Sequence, residues 1–249
     1  LSQYARFARV YDQDAHRQVA REFHATMVRA LGRSFRPQLA LDLGCGSGLL
    51  TELLAKHVPR VVGLDLSRDM LDLAHDRCRR FGKRVSFLRA DLTRRLPAHG
   101  AELATASGDI VNHIQALPAL GRVFVHARAA LAHRGLLVFD SLTQACFECD
   151  WDDKVYRMSS PAGDLVMECS WEPRQRTGTA RMTSYARVDR GRFERRTTVL
   201  KEKFHTDAEI RRLLARAGFG DVARLEWSPW PEQLADHRMD RALWIARAR

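Results

Sequence analysis

Two short stretches hold the residue types able to do chemistry. Residues 39–48 read Leu-Ala-Leu-Asp-Leu-Gly-Cys-Gly-Ser-Gly, and Asp65 closes the next apolar run, Val61–Leu66. Glycines at 44, 46 and 48 let a strand turn sharply into a helix, so that backbone N–H groups at the helix start can approach a ligand. A carboxylate at the end of the following strand can accept both hydroxyls of a ribose. The pair therefore points to a nucleoside. The second stretch is Ser107-Gly108-Asp109-Ile110-Val111-Asn112-His113. Its imidazole titrates near neutral pH, which makes His113 the candidate general base or substrate-orienting group, with Asn112 beside it as an orienting amide.

The elements that must position these residues follow from periodicity. Leu39–Gly44, 60–66, 85–90, 102–107 and 135–140 are short apolar runs, the pattern of buried strands. Helical patterns over 47–57, 68–81 and 119–133 alternate with them, which predicts a parallel sheet covered on both faces. An amphipathic helix over 11–32, with the stripe Val19, Phe23, Met27 and Leu31, leads into the sheet. From Trp151 the period changes to two. Met167, Cys169 and Trp171 share one face, and Arg176-Thr177-Gly178 and Asp189-Arg190-Gly191 are hairpin-turn candidates. Residues 151–205 thus form an antiparallel insertion, a platform or lid for substrate, within a domain made of 1–150 and 206–249. Thr206 and Glu209 make a capping box for a helix ending at Gly218. Strands over 219–227 and 242–247 complete the sheet.

Composition narrows the class. The chain has 249 residues, 45% of them hydrophobic, and no apolar run nears the ~20 residues of a membrane span. Leu1–Val10 carries Arg6 and Arg9 and has no apolar core of a signal peptide. Five cysteines make no disulfide framework or paired zinc motif, so a cytoplasmic setting and no metal are expected. The net charge of +11 is spread over the whole chain as arginine, without a basic tract interleaved with aromatics. Trp151, Trp171, Trp227 and Trp230 either line an aromatic site or pack.

A dinucleotide fingerprint would place its third glycine at position 49, which is Leu49. Asp42 to Gly48 instead resembles motif I of the class I S-adenosylmethionine-dependent methyltransferases. The Gly108–Ile114 segment and the aromatic lead-in Tyr4, Phe7, Tyr11 are similar to those of small-molecule members such as the glycine, sarcosine and amino-sugar N-methyltransferases. The resemblance implies an α/β fold with a doubly wound, seven-stranded, mostly parallel sheet, and S-adenosyl-L-methionine as cofactor. It implies donor contacts from Asp42, Gly44, Cys45 and Gly46 at the turn. Asp65 and Leu66 would meet the ribose, and Met70 the adenine wall. Asp91 would meet the adenine amine, flanked by Ala90 and Leu92. Ser107 and Asp109 would lie near the methyl group and Tyr11 over the amino-acid end. Tyr4, Asn112 and His113 are then the substrate-binding candidates. The expected reaction is in-line methyl transfer to an amine or hydroxyl of a small molecule, with positioning as the main catalytic effect. The positive charge keeps an RNA methyltransferase of the same fold as the alternative. The sequence leaves the oligomeric state open, with a homodimer as one option, and no membrane partner is expected.

Overall fold

The computed structural model describes residues 14–32, 34–189, 191–229 and 241–249. Its parallel core comprises β1 (Leu39–Leu43), β2 (Arg60–Asp65), β3 (Val85–Arg89), β4 (Ala101–Ala106) and β5 (Leu131–Leu142). Helices α2 (Leu49–Leu54), α3 (Arg68–Cys78), α4 (Ile110–His113) and α5 (Leu117–Ala130) lie between them. Helix α1 (Asp14–Leu31) precedes them, and α7 (Asp207–Arg216), β10 (Phe219–Trp227) and β11 (Arg241–Ala248) follow later in the chain. The spatial order is β10-β11-β5-β4-β1-β2-β3, with β11 antiparallel to both its neighbours. Chain order reverses between β1 and β4, where Leu41 pairs with Val62 on one side and Ala104 on the other. Ligands of open α/β sheets bind in the crevice beyond the strand ends at such a reversal. Both chemically active stretches start there.

Each face of the sheet is sealed by apolar side chains of the flanking helices. Phe124 of α5 and Leu213 and Leu214 of α7 bury Phe139 and Trp244, whose rings stack at 5.9 Å. On the other face, Phe23 and Met27 of α1 and Leu50 and Leu54 of α2 cover Val61, Leu103 and Leu243. Burial of each such side chain contributes about 1.5–3 kcal/mol. Among the described residues, no helix is long and apolar enough to cross a membrane.

A second sheet runs β6 (Lys154–Ser160), β7 (Gly163–Glu172), β8 (Thr177–Asp189) and β9 (Arg192–Lys203), antiparallel throughout. It is reached through α6 (Gln144–Cys146) and one wide helical turn, Phe147–Trp151. The inner face carries Leu165, Ala180, Met182 and Leu200, packed with Phe147 and Trp151. The capping box forms as read: Glu209 N–H donates to Thr206 Oγ1 at 3.2 Å and Thr206 N–H to Glu209 Oε2 at 2.8 Å. Arg176 also grips Glu209 through both guanidinium nitrogens, at 2.9 and 3.0 Å, tying the β7–β8 turn to α7.

Several boundaries differ from the periodicity. The helix expected over 119–133 stops at Ala130, because β5 starts at Leu131 and absorbs a register shift between Ala101 and Leu103 of β4. The helix over 68–81 ends at Cys78, and the tight turns after it break at Gly82, φ 55°. The turn expected at 176–178 lies earlier, with Arg176 N–H bonded to Pro173 O at 3.1 Å. Gly178 is a strand residue instead. A Cβ there would fall 2.6 Å from the Trp151 ring and 2.7 Å from Phe147.

Candidate active site

The glycine turn is built for close approach. Gly44 has φ 70°, and a Cβ there would meet Ile110 Cδ1 at 2.4 Å. Gly48 has φ 81° and rests on Ala74 of α3, whose Cα would lie 3.1 Å from an added Cβ. Gly44 and Cys45 both donate N–H to Leu64 O, at 2.7 and 3.0 Å, which pins the turn to the end of β2. Asp65 completes the frame. Its Oδ2 accepts from Gly46 N–H at 2.9 Å and its Oδ1 from Ser67 N–H at 2.8 Å. Burial lifts its pKa, against the pull of those N–H groups. Each oxygen retains a lone pair, so a carboxylate held by two backbone donors faces the crevice with acceptor capacity left.

One cavity of about 410 Å³ joins this turn to the second sheet. Gly44, Cys45, Gly46, Asp65 and Met70 line one end, Ser107, Asp109 and His113 the middle, and Trp151, Met182 and Glu202 the other end. Ala15, His16, Val19 and Ala20 of α1 form part of the wall. The turn, the carboxylate and the apolar Met70 surface fit a nucleoside with an amino-acid tail.

Other expected residues lie elsewhere. Asp42 is buried beneath the turn, where Thr51 Oγ1 and Thr105 Oγ1 donate to it at 2.6 and 3.1 Å. Burial pushes its pKa to about 6, against those hydroxyls. It supports the turn without lining the cavity. Asn112 is fully buried and spends both ends of its amide on backbone. Its Nδ2 donates to Lys203 O at 2.9 Å, and its Oδ1 accepts from Leu142 N–H at 2.9 Å. It clasps β5 to β9 and is not at the cavity surface. Asp91 Oδ1 accepts from Thr93 N–H and Oγ1 at 2.9 and 2.7 Å, and these bonds hold its pKa down. Asp91, Ala90, Leu92 and the half-exposed Leu66 flank the crevice outside the cavity lining. Tyr4 and Tyr11 lie outside the described residues, as does Trp230.

Between the two ends lies a buried charge network. Arg241 bonds Asp140 Oδ2 through Nη1 at 2.6 Å and Asp109 Oδ2 through Nη2 at 2.8 Å. Asp109 N–H also donates to Asp140 Oδ1 at 3.1 Å. His113 Nε2 sits 3.6 Å from Asp109 Oδ1 and 3.8 Å from Glu202 Oε1, ion-pair rather than hydrogen-bond spacing. Burial works against an Asp109 carboxylate, but Arg241 and His113 outweigh it and hold its pKa below the usual range. Burial likewise opposes a charged His113, yet Glu202 and Asp109 raise its pKa. Burial, reinforced by Asp109, lifts Glu202 to about 8. Ligating atoms of Asp109, His113 and Glu202 lie within 4.8 Å of one another. A divalent ion there would face the guanidinium already bonded to Asp109. Sequence reading missed Glu202, Arg241 and Asp140. For Arg241 the available signal was a charge opening an apolar strand, Arg241-Ala-Leu-Trp, whereas Glu202 lies in the strongly charged run Arg192–Lys203 and gave no such signal.

Seven strands in this order, with a glycine turn at the reversal and an acid ending the next strand, define the class I methyltransferase fold. Residues 40–135 match the family described as methyltransferase domain. A Geobacillus sp. (strain WCH70) protein provisionally named a methyltransferase is 23% identical over 87% of this chain and 88% of its own length. An S-adenosylmethionine-dependent methyltransferase from Clostridium acetobutylicum superposes with TM-score 0.78 at 18% identity, over 99% of both chains. CalS10, an amino pentose methyltransferase from Micromonospora echinaspora, superposes with TM-score 0.68 at 21% identity, over 96% of this chain and 97% of its own.

Proposed function

We propose that this enzyme methylates a nitrogen or oxygen of a small molecule. The carrying observation is that one continuous cavity begins at the glycine turn and ends under the second sheet. A donor held at Gly44–Ser47 by backbone and at Asp65 by its sugar would present its methyl group near Ser107–Asp109. Met70 would cover the base. The donor supplies a methyl group already activated on a positively charged sulfur. The protein's task is therefore alignment and removal of water, which in favourable cases supply about 7–11 kcal/mol. Residues 151–205 act as the roof over the acceptor, and His113 orients or deprotonates it. A roofed cavity of about 410 Å³ suits a small acceptor better than an RNA strand. The amino pentose activity of CalS10 supports the amine side of this reading.

Methyl-labelled donor incubated with panels of amines, amino sugars and phenols, read by mass shift, tests the proposal. Transfer to a small acceptor is the expected outcome. Transfer only to RNA, with salt-sensitive RNA binding, would replace it.

A further inference from the structure

Glu202 has no role in donor binding, yet it is placed at considerable cost. It stands on the inner face of β9, two residues after Leu200 and opposite Gly178 of β8. It is 5% exposed, and its Oε2 has no hydrogen-bond partner among the described residues. The cavity wall around it combines the apolar Met158, Met167, Ala180, Met182, Leu200 and Trp151 with His113, 3.8 Å from Glu202 Oε1, and with Tyr156, Asp150 and Arg157. Burying a polar atom without a partner costs roughly 1–3 kcal/mol, and more for a charge. A structural role would explain such an atom only if something bonded it.

The surrounding charges balance only while Glu202 is protonated. Asp109, Asp140 and Glu202 offer three carboxylates against the single guanidinium of Arg241. Once Glu202 is ionised, even a protonated His113 leaves one negative charge in excess. Cys146 and Cys169 also face Glu202, and Tyr156 and Asp150 line the same cavity. Burial raises the pKa of both thiols and of the phenol, so none supplies a cation. Arg157 reaches the cavity from β6 as an exposed residue. The missing partner is a cation that can donate a hydrogen bond and whose remaining body is apolar.

We propose that Glu202 is the counter-ion and proton acceptor for the methyl acceptor, and that the acceptor is an amine carried on an apolar body. This rests on the methyltransferase reading above and names the acceptor class of the same cavity. The arriving ammonium places one N–H toward Glu202. That N–H bond breaks, the proton goes to the carboxylate, and both charges vanish. The nitrogen pair left behind forms the new N–C bond, while the pair of the donor's C–S bond stays on sulfur. The product leaves as a methylammonium, and Glu202 returns its proton to water. The methionine wall adapts to different apolar shapes, because thioether side chains repack readily. It offers no partners for the hydroxyls of a sugar ring, which leaves Asp150, Tyr156 and Arg157 as the polar groups at that end, so an amine on an apolar body is favoured over a polyhydroxylated one.

Calorimetry on the full chain saturated with S-adenosylhomocysteine tests this without relying on turnover. The probes are 2-phenylethylamine, cyclohexylmethylamine, their isosteric alcohols and glucosamine. The expected result is a preference of about ten- to hundred-fold for each apolar amine over its alcohol, the range of a charged hydrogen bond. At pH 7 the amines should release close to one proton per molecule bound, read in two buffers of different ionisation enthalpy. The release should fall off as pH rises through about 8, the range in which Glu202 itself ionises. E202Q should remove both the preference and the proton release while S-adenosylhomocysteine still binds, and E202D should retain part of each. Equal binding of amines and alcohols overturns the proposal, as does binding of neither, glucosamine binding as well as 2-phenylethylamine, or an E202Q protein that keeps the proton release. Failure to bind S-adenosylhomocysteine at all would instead strike the methyltransferase reading itself.

Discussion

Replacing Arg241 by methionine is the most informative perturbation of the buried network. Arg241 is 3% exposed and bonds two carboxylates, Asp140 at 2.6 Å and Asp109 at 2.8 Å. Methionine keeps most of the volume and leaves two buried anions facing each other. Removing one partner of a buried pair costs about 3–5 kcal/mol. For a chain of this size that corresponds to a fall of roughly 6–20 °C in Tm. The pH dependence carries the sharper sign. With Arg241 present, the Asp109 pKa lies below its unfolded value. Its stabilisation is therefore present above the ordinary carboxyl range and lost as pH falls through the folded pKa. Without Arg241, burial lifts both carboxyls, and the penalty disappears as they take up protons. The deficit of R241M should thus be largest near pH 7.5 and shrink toward pH 5. Urea titrations followed by tryptophan fluorescence at the two pH values measure it. R241K, which keeps the charge but lacks the two-pronged geometry, should fall between. A deficit under ~1 kcal/mol, or one that grows as pH falls, contradicts a network held by Arg241.

Other positions give distinct outcomes. Asp65→Ala strips two backbone donors of their acceptor and removes the sugar contact, so donor affinity should fall by at least about ten- to hundred-fold in calorimetry. Gly44→Ala places a methyl group 2.4 Å from Ile110 Cδ1 at φ 70°, and equilibrium dialysis should find donor binding lost in a protein with near-native circular dichroism. Asn112→Ala leaves the Leu142 N–H and Lys203 carbonyl unpaired, which should cost about 1–3 kcal/mol in thermal unfolding. Donor affinity should be unchanged in that variant. His113→Gln should weaken acceptor use more than donor binding, separable by measuring both on the same preparation.

Much of the fold was legible because its strands are buried and short. The central strands, the turn at Gly44–Gly48 and the capping box at Thr206 are local patterns, and local patterns carry their own period and chemistry. Boundaries failed where tertiary contacts overrode the period. Leu131 became strand because β4 offered a partner, and Gly178 became strand because the rings of Phe147 and Trp151 needed its bare Cα. In the site, Asp65, Met70, Asp109 and His113 reached the cavity, whereas Asp42 and Asn112 turned out to hold the frame around it. Sequence spacing marks a strand end but does not say which way a side chain there turns. Glu202 and Arg241 escaped notice for a different reason. Their partners lie 89 or more residues away in the chain, since Glu202 follows His113 by 89 positions and Arg241 follows Asp140 by 101. Only the completed topology brings them together.

Titration calorimetry with S-adenosylhomocysteine, on the native chain and on Asp65→Ala, bears most directly on the glycine turn as the donor site. Saturable heat at one molecule per chain, lost in the variant while its fold persists, is the expected result. Uptake of NADH in place of that nucleoside, or undiminished binding by Asp65→Ala, would contradict it.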